Sequence, residues 1–261
     1  MWPVLFHIGS FPIYSYSAFV VLAYLACLGY GLWEAKRQKL DPAHVVDVSL
    51  WLFGCGMLGA RLLFIMIEYP RFLADPREIY RLWNGGLIYY GGLGGAVLGG
   101  VYYLKRHGLP LGTWSDFLAP TAMIMLVVGR VGCFLNGCCY GKIAPELPWG
   151  VVYPASHPAL GLAQYPVHPA PLYESLSALA IVLILVGLSR RRHFPGQVFW
   201  SMVLLYSLAR FILENFRGDP RGVVPGLGLS TSQGISLAAG SLSIVVLFRL
   251  YRRSKREAPT R

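Results

Sequence analysis

Seven stretches of this chain are each long and apolar enough to cross a lipid bilayer, at about residues 17–33, 43–67, 87–104, 114–137, 170–189, 196–213 and 229–251. A hydrocarbon core about 30 Å thick takes roughly 20 apolar residues in a helix. Within that core every backbone N–H and C=O must find its partner inside the protein, so such stretches fold as helices. The composition agrees: 55% of the 261 residues are apolar and 13% are charged, against about 25% charged in ordinary soluble domains. A disordered chain is excluded and a water-soluble enzyme is disfavoured. The expected fold is an all-α integral membrane protein in which residues 1–261 form a single membrane domain with seven transmembrane helices.

A net charge of +11 invites a nucleic-acid reading, but that requires a basic patch on a soluble face. The cations sit elsewhere. Lys36, Arg37 and Lys39 follow the first span, Lys105 and Arg106 the third, and Arg190, Arg191 and Arg192 the fifth. Arg249, Arg252, Arg253, Lys255, Arg256 and Arg261 close the last span and the tail. These fourteen of the 23 Lys and Arg share one side, which the positive-inside rule makes cytoplasmic. The N-terminus then lies outside and the C-terminus is cytoplasmic, and no nucleic acid is expected as a partner. Residues 1–16 lack the basic segment of a signal peptide, so the first span is expected to remain as an anchor. The outer loops are 68–86 and 138–169. The second carries Pro145, Pro148, Pro154, Pro158, Pro166 and Pro169. It is too long for a bare connector and is expected to form a small extracytoplasmic cap.

Ionisable residues within spans are costly and mark functional sites by default. With this topology Arg61, Arg130, Glu174, Arg210, Glu214 and Arg217 all fall toward the outer ends of their spans, as do Tyr16, Tyr89, Tyr90 and Gln233. Asp47 and Asp116 lie near inner ends, where helix capping is a sufficient explanation. Arg210, Glu214 and Arg217 are spaced i, i+4, i+7, which puts them on one helix face. An internal salt-bridge ladder explains Glu214 with one arginine and leaves a cation over. Counted with Arg61 and Arg130, cations outnumber the carboxylates Glu174 and Glu214, and such a pocket calls for an anion. Guanidinium forks match phosphate oxygens, and the anion available at that depth is a phospholipid head group.

Three further segments stand out. Gly95, Gly99 and Gly100 fit close helix packing, whereas Gly85-Gly86 and Gly91-Gly92, which flank Tyr89-Tyr90, point to a broken helix start that brings backbone near a ligand. Gly129 to Gly141 holds Cys133, Cys138 and Cys139. A metal centre, a redox pair and small buried residues are all open readings, and because four well-spaced ligands are absent no metal is expected. His168-Pro169 opens the fifth span, and there His168 is either a cap or an interface residue.

These segments, in this order and over nearly the whole chain, resemble the phosphatidylglycerol–prolipoprotein diacylglyceryl transferase family. Ile13-Tyr14-Ser15-Tyr16 resembles the first-helix motif and Gly59-Ala60-Arg61 the Gly-Gly/Ala-Arg step. Asp116 with Ala119-Pro120 resembles the opening of the signature helix, and Gly129-Arg130 through Asn136 to Gly141 the signature itself. His168 to Glu174 resembles His-Pro-x-x-Leu-Tyr-Glu. Arg210, Glu214 and Arg217 resemble Arg-Phe-x-x-Glu-x-x-Arg, and Ser232-Gln233 the final-span element. Three positions depart. Tyr90 stands at a histidine considered a base in the family, Cys133 stands for Asn, and Cys138 for Glu. The Cys-Cys-Tyr-Gly form resembles one branch of the family.

The resemblance implies transfer of a diacylglyceryl group from phosphatidylglycerol to the lipobox cysteine thiol of a prolipoprotein, releasing glycerol phosphate. The partners implied are phosphatidylglycerol, the prolipoprotein signal peptide and membrane lipids, in a bacterial cytoplasmic membrane with the site toward the outer leaflet. No cofactor is expected. Arg130, Arg217, Tyr16 and Tyr90 are the expected catalytic residues. Arg61, Asn136, Gly91, Gly92, Glu174, Arg210, Glu214, Gln233 and His168 are the expected substrate-binding residues. A cationic neighbourhood lowers a thiol pKa, so a strong base at position 90 is not required. The rival reading is a divergent paralogue that binds or moves phospholipid without this chemistry.

Overall fold

The computed structural model describes residues 2–81, 85–153, 165–219, 222–223, 226 and 228–257. Trp83 and Asn84, Pro154, His157 and Pro158 of the expected cap, Arg221 and Arg261 lie outside the described residues. All seven apolar stretches are helical. The helices are α1 (Ser15–Gln38), α2 (Pro42–Ile67), a short α3 (Tyr69–Ala74), α4 (Tyr89–Arg106), α5 (Leu111–Asn136), α6 (Ala170–Arg190), α7 (Gln197–Leu213) and α8 (Thr231–Glu257). Six of them, α1, α2, α5, α6, α7 and α8, are long and apolar enough to span a membrane. The chain is a multi-pass membrane protein. The 18 residues of α4 include six glycines and four tyrosines, which dilute its hydropathy. The helices α1, α4, α6 and α8 run past the expected span ends, so that Lys36, Arg37, Lys105, Arg106, Arg190, Lys255 and Arg256 sit in last helical turns. Cations there complement the negative end of the helix dipole.

One element has no counterpart in the sequence-based expectation. Strands β1 (Val4–Ile8) and β2 (Phe11–Tyr14) pair antiparallel around Gly9, whose φ is +60°. The Ser15 N–H then donates to the Pro3 carbonyl at 2.8 Å. This ties the hairpin to the first turn of α1, where Tyr16 sits.

The helices group into two compact units, residues 31–114 and residues 1–30 with 115–261. In the first, α2 and α4 approach almost to backbone contact. A Cβ on Gly95 would collide with the Cys55 carbonyl, one on Gly99 would reach the Cys55 Cβ at 2.5 Å, and one on Gly91 the Leu63 Cβ at 2.6 Å. Small residues allow this closeness where lipid supplies no hydrophobic drive between helices. Gly91 and Gly92 were expected to bring backbone near a ligand, but their close approach is to Gly59 and Ala60 of α2. Asp47 is not a cap either. It accepts a 3.0 Å hydrogen bond from the buried Tyr103 hydroxyl, which lies 3.0 Å from His44 Nδ1.

In the other unit α5, α6 and α7 enclose a core of Ala119, Met123, Ile181, Val182, Leu185 and Val198. Asp116 does cap a helix, though not its own: from α5 it accepts from the Gly196 and Phe199 N–H groups at 2.8 and 2.9 Å, at the start of α7. Ser175 Oγ donates to the Val127 carbonyl at 2.8 Å and links α6 to α5.

Overpacking a tight contact costs about 1–3 kcal/mol. Gly95→Leu is therefore expected to lower the apparent melting temperature in detergent. Gly94→Ala, at a helix position with nothing within 4 Å, should leave it level or raise it slightly. Equal losses from the two changes would contradict the packing account.

Candidate active site

The three expected arginines of residues 115–261 converge on one carboxylate. Glu174 sits in the second turn of α6, near the helix's positive end, where a negative charge is favoured, and is 2% exposed. Arg217 Nη1 lies 2.7 Å and Arg210 Nη1 3.0 Å from its Oε1, and Arg130 Nε lies 2.6 Å from its Oε2. The Arg130 contact is outside hydrogen-bond alignment, and Oε2 accepts no hydrogen bond among the described residues. Three chain segments, the end of α5, the end of α7 and the chain just beyond it, thus meet at one buried charge.

The Arg210–Glu214 pair forms as the i, i+4 spacing predicts, at 2.7 Å. The third member of that pattern does not stay on the helix. α7 ends at Leu213, Glu214–Phe216 form one 3-10 turn, and Arg217 is extended. Its Nε and Nη2 each hydrogen-bond Asp219 at 2.9 Å, a bidentate pair. Asp219 was missed by sequence reasoning, although it stands only two residues after Arg217. Its inclusion changes the charge balance: Arg130, Arg210 and Arg217 face Glu174, Glu214 and Asp219, so the cluster is neutral. Arg61 does not alter that count. It belongs to residues 31–114, is buried against Phe64 and Phe72, and directs its guanidinium to the carbonyls of Glu78, Ile79, Gly85 and Gly86.

The surplus lies in donors rather than in charge. Arg217 is 1% exposed and Arg210 10%, and both spend their terminal nitrogens on carboxylates or on Ser232. Arg130 is 19% exposed. Among the described residues its Nη1 and Nη2 take no hydrogen-bond partner. A guanidinium with its outer edge unspent and its inner edge against a carboxylate can offer parallel donors to an anion.

The remaining expected residues surround this cluster or hold it. Ser230 donates to Glu214 Oε1 at 2.7 Å. Ser230 and Gln233 also form a capping box at the start of α8, with Gln233 Oε1 accepting from the Ser230 N–H at 3.0 Å and Ser230 Oγ from the Gln233 N–H at 3.1 Å; the Ser-x-x-Gln spacing carries that signal. Gly141 bridges to Arg217, and its N–H donates to the His168 carbonyl at 3.1 Å. A Cβ on it would meet the His168 Cβ at 2.5 Å and the Phe216 carbonyl at 2.7 Å. The His168 ring turns to the Tyr173 hydroxyl at 3.2 Å, and that hydroxyl accepts from Trp149 at 2.8 Å. The expected cap, where described, is this knot: Ile143 and Val151 both bridge Val167.

Asn136 ends α5, and just beyond it the Cys138 thiol donates to the Cys133 carbonyl at 3.6 Å. Tyr16 is half-exposed, within electrostatic reach of Arg130, Cys133, Cys138 and Cys139. α1 reaches α5 closely at Gly132, where a Cβ would lie 2.6 Å from the Phe19 Cβ. The Cys139 sulfur lies within electrostatic reach of Arg217. Donation from Cys133 and Cys138, with Arg217 adding to it, holds the Cys139 thiol well below its ordinary range. Tyr90 lies in the first turn of α4, half-exposed and edge-on to Tyr89.

A family model described as prolipoprotein diacylglyceryl transferase matches residues 3–249. The chain belongs to this family. A Clostridium tetani protein named phosphatidylglycerol--prolipoprotein diacylglyceryl transferase is 34% identical over 247 residues, covering 94% of this chain and 96% of its own. Proteins of the same name from Gloeobacter violaceus and Geobacter sulfurreducens are also 34% identical, over 98% and 82% of this chain and 96% and 82% of their own lengths. The knot around Gly141 and the convergence on Glu174 therefore belong to a chain whose family is named for a lipid-transfer reaction.

Removing one member of a buried ion cluster costs about 3–5 kcal/mol, because its partners are left uncompensated. Glu174→Gln strips the shared carboxylate from three arginines. It is expected to lower the melting temperature in detergent far more than Glu146→Gln on the loop beyond α5. Equal melting of the two variants would contradict the convergence described.

Proposed function

We propose that the chain transfers the diacylglyceryl group of phosphatidylglycerol to the lipobox cysteine thiol of a prolipoprotein. The observation that carries this reading is the unspent outer edge of Arg130 beside a buried, arginine-saturated carboxylate. The family and the names of the relatives supply the reaction class. The acceptor thiolate attacks a glyceryl carbon, the carbon–oxygen bond to the phosphate breaks, and the electron pair leaves with the phosphate oxygen as glycerol phosphate. Charge grows on the departing phosphate, and a preoriented guanidinium stabilises it in a low-dielectric site.

In this reading Arg130 receives the phosphate. Arg210, Arg217, Glu214 and Asp219 fix Glu174, which fixes Arg130, so Arg217 acts mainly through position. Asn136 and Tyr16 flank the head group and the thiol. Gln233 and His168 brace the strands and helix ends around the cluster. Arg61 orders the Gly85-Gly86 turn from which α4 starts, with Gly91 and Gly92 holding α4 to α2 and Tyr90 at its exposed first turn. α4 is taken as a seventh span, about 27 Å long at 1.5 Å per residue. The positive-inside distribution puts the N-terminus outside, the C-terminus in the cytoplasm, and the arginine cluster toward the outer leaflet of a bacterial cytoplasmic membrane.

The test is a reconstituted assay with the purified protein, glycerol-labelled phosphatidylglycerol and a lipobox peptide. Label on the peptide cysteine, with glycerol phosphate released in equal amount, is expected. Lipid binding or movement with no label on the peptide would overturn the reading in favour of the non-catalytic paralogue. In the same assay Tyr90→Phe is expected to keep the rate within about threefold, because the cationic site lowers the thiol pKa without a dedicated base. A loss of a hundredfold would assign the Tyr90 hydroxyl to the chemistry.

A further inference from the structure

Three thiols remain beside the arginine cluster with no role in the scheme above. Cys133 lies in the last turn of α5, and Cys138 and Cys139 in the turn beyond it. Their three Sγ atoms all lie within 4.8 Å of one another. None of the three is in a disulfide, and Cys133 is buried while the other two are half-buried. We propose that Cys133, Cys138 and Cys139 form a three-thiolate zinc site whose open fourth position takes the acceptor thiol of the transfer reaction. The second half of this statement rests on the proposed function; the first does not.

The geometry and the chemistry agree on a metal. Tetrahedral zinc with Zn–S near 2.3 Å sets its sulfurs about 3.8 Å apart, so closing the cluster moves each sulfur by no more than about 1 Å. Three protein ligands with one open position is the pattern of catalytic rather than structural zinc. Cys are often buried merely as small apolar residues, but here the backbone bears a cost to gather them. Cys139 has φ +63° in the left-handed region, which a non-glycine residue adopts rarely. Three thiolates and Zn2+ leave one net negative charge, and Arg217 and Arg130 both lie within electrostatic reach of the Cys139 sulfur. Donors beside a coordinating sulfur are typical of the surroundings that tune a bound metal.

The site also answers the missing histidine at position 90. A thiol bound to zinc is deprotonated outright, and its proton passes to solvent. The bound sulfur attacks the glyceryl carbon with its lone pair, the carbon–oxygen bond breaks toward the phosphate, and the thioether product is a poorer ligand and leaves. No electron passes to or from the metal, so no oxidant or reductant is needed.

The test uses the full-length protein in detergent, reduced with a phosphine and stripped of metal with a chelator, then titrated with Co2+ and afterwards with Zn2+. One equivalent of cobalt is expected to give thiolate-to-cobalt charge-transfer absorption that zinc abolishes. Cys133→Ser, Cys138→Ser and Cys139→Ser should each lose it, and Cys27→Ser and Cys55→Ser should keep it. Absence of that absorption, its survival in Cys139→Ser, or a native disulfide among the three that blocks uptake would overturn the site. Zinc is also expected to raise transfer by the stripped wild-type protein at least tenfold, a comparison that needs no variant to fold. Full-rate transfer without zinc would overturn the catalytic half. Zinc bound by the three thiols with no transfer in any metal state would leave the site standing and overturn the proposed function.

Discussion

A single buried carboxylate organises the second half of this chain. Burying Glu174 alone would cost several kcal/mol of lost hydration, and a buried charge persists only when its partners are close and well placed. Arg130, Arg210 and Arg217 satisfy it from three different segments. Two of those arginines are in turn constrained, Arg210 by Glu214 one helical turn on and Arg217 by both oxygens of Asp219, and Ser230 at the start of α8 holds Glu214. The cluster is neutral overall, so it holds itself together without requiring an anion. What it leaves over is direction: Arg130 presents its terminal nitrogens while its Nε faces Glu174.

The unit of residues 31–114 rests on a different constraint. Within a membrane, helices gain little by hiding apolar surface from lipid, so close approach must come from shape. Gly59, Gly91, Gly95 and Gly99 supply it between α2 and α4. Arg61 then serves as a many-toothed clamp, giving its donors to carbonyls of the segment between these helices. An arginine used this way fixes backbone rather than ligand, and it controls how α4 begins.

Much of this was legible in the sequence because lipid makes strict demands. The six apolar spans, their basic ends, the Arg210–Glu214 pair and the glycine packing at Gly95 and Gly99 all follow from hydropathy and spacing. Less legible were features that depend on a chain leaving its regular path. Arg217 departs from the helix on which i, i+4, i+7 spacing put it, and so reaches Asp219 and Gly141. Gly91 and Gly92 read as backbone near a ligand, and their close approach to α2 shows only once the partner helix is known. Asp116 caps a helix 80 residues away, which no local pattern encodes. The three thiols come together where Cys139 takes a left-handed φ just beyond α5, which local spacing does not encode.

The central claim is that Arg130 is the group left free for a phosphate by an otherwise saturated cluster. The most direct measurement is the transfer rate at saturating phosphatidylglycerol for Arg130→Ala against wild type, with melting temperature followed in the same samples. Loss of one preorganised donor to a developing charge costs about 10²–10³ in rate. The account predicts a loss of that size while the protein stays folded at the assay temperature. A folded Arg130→Ala protein that transfers within about threefold of wild type would contradict it.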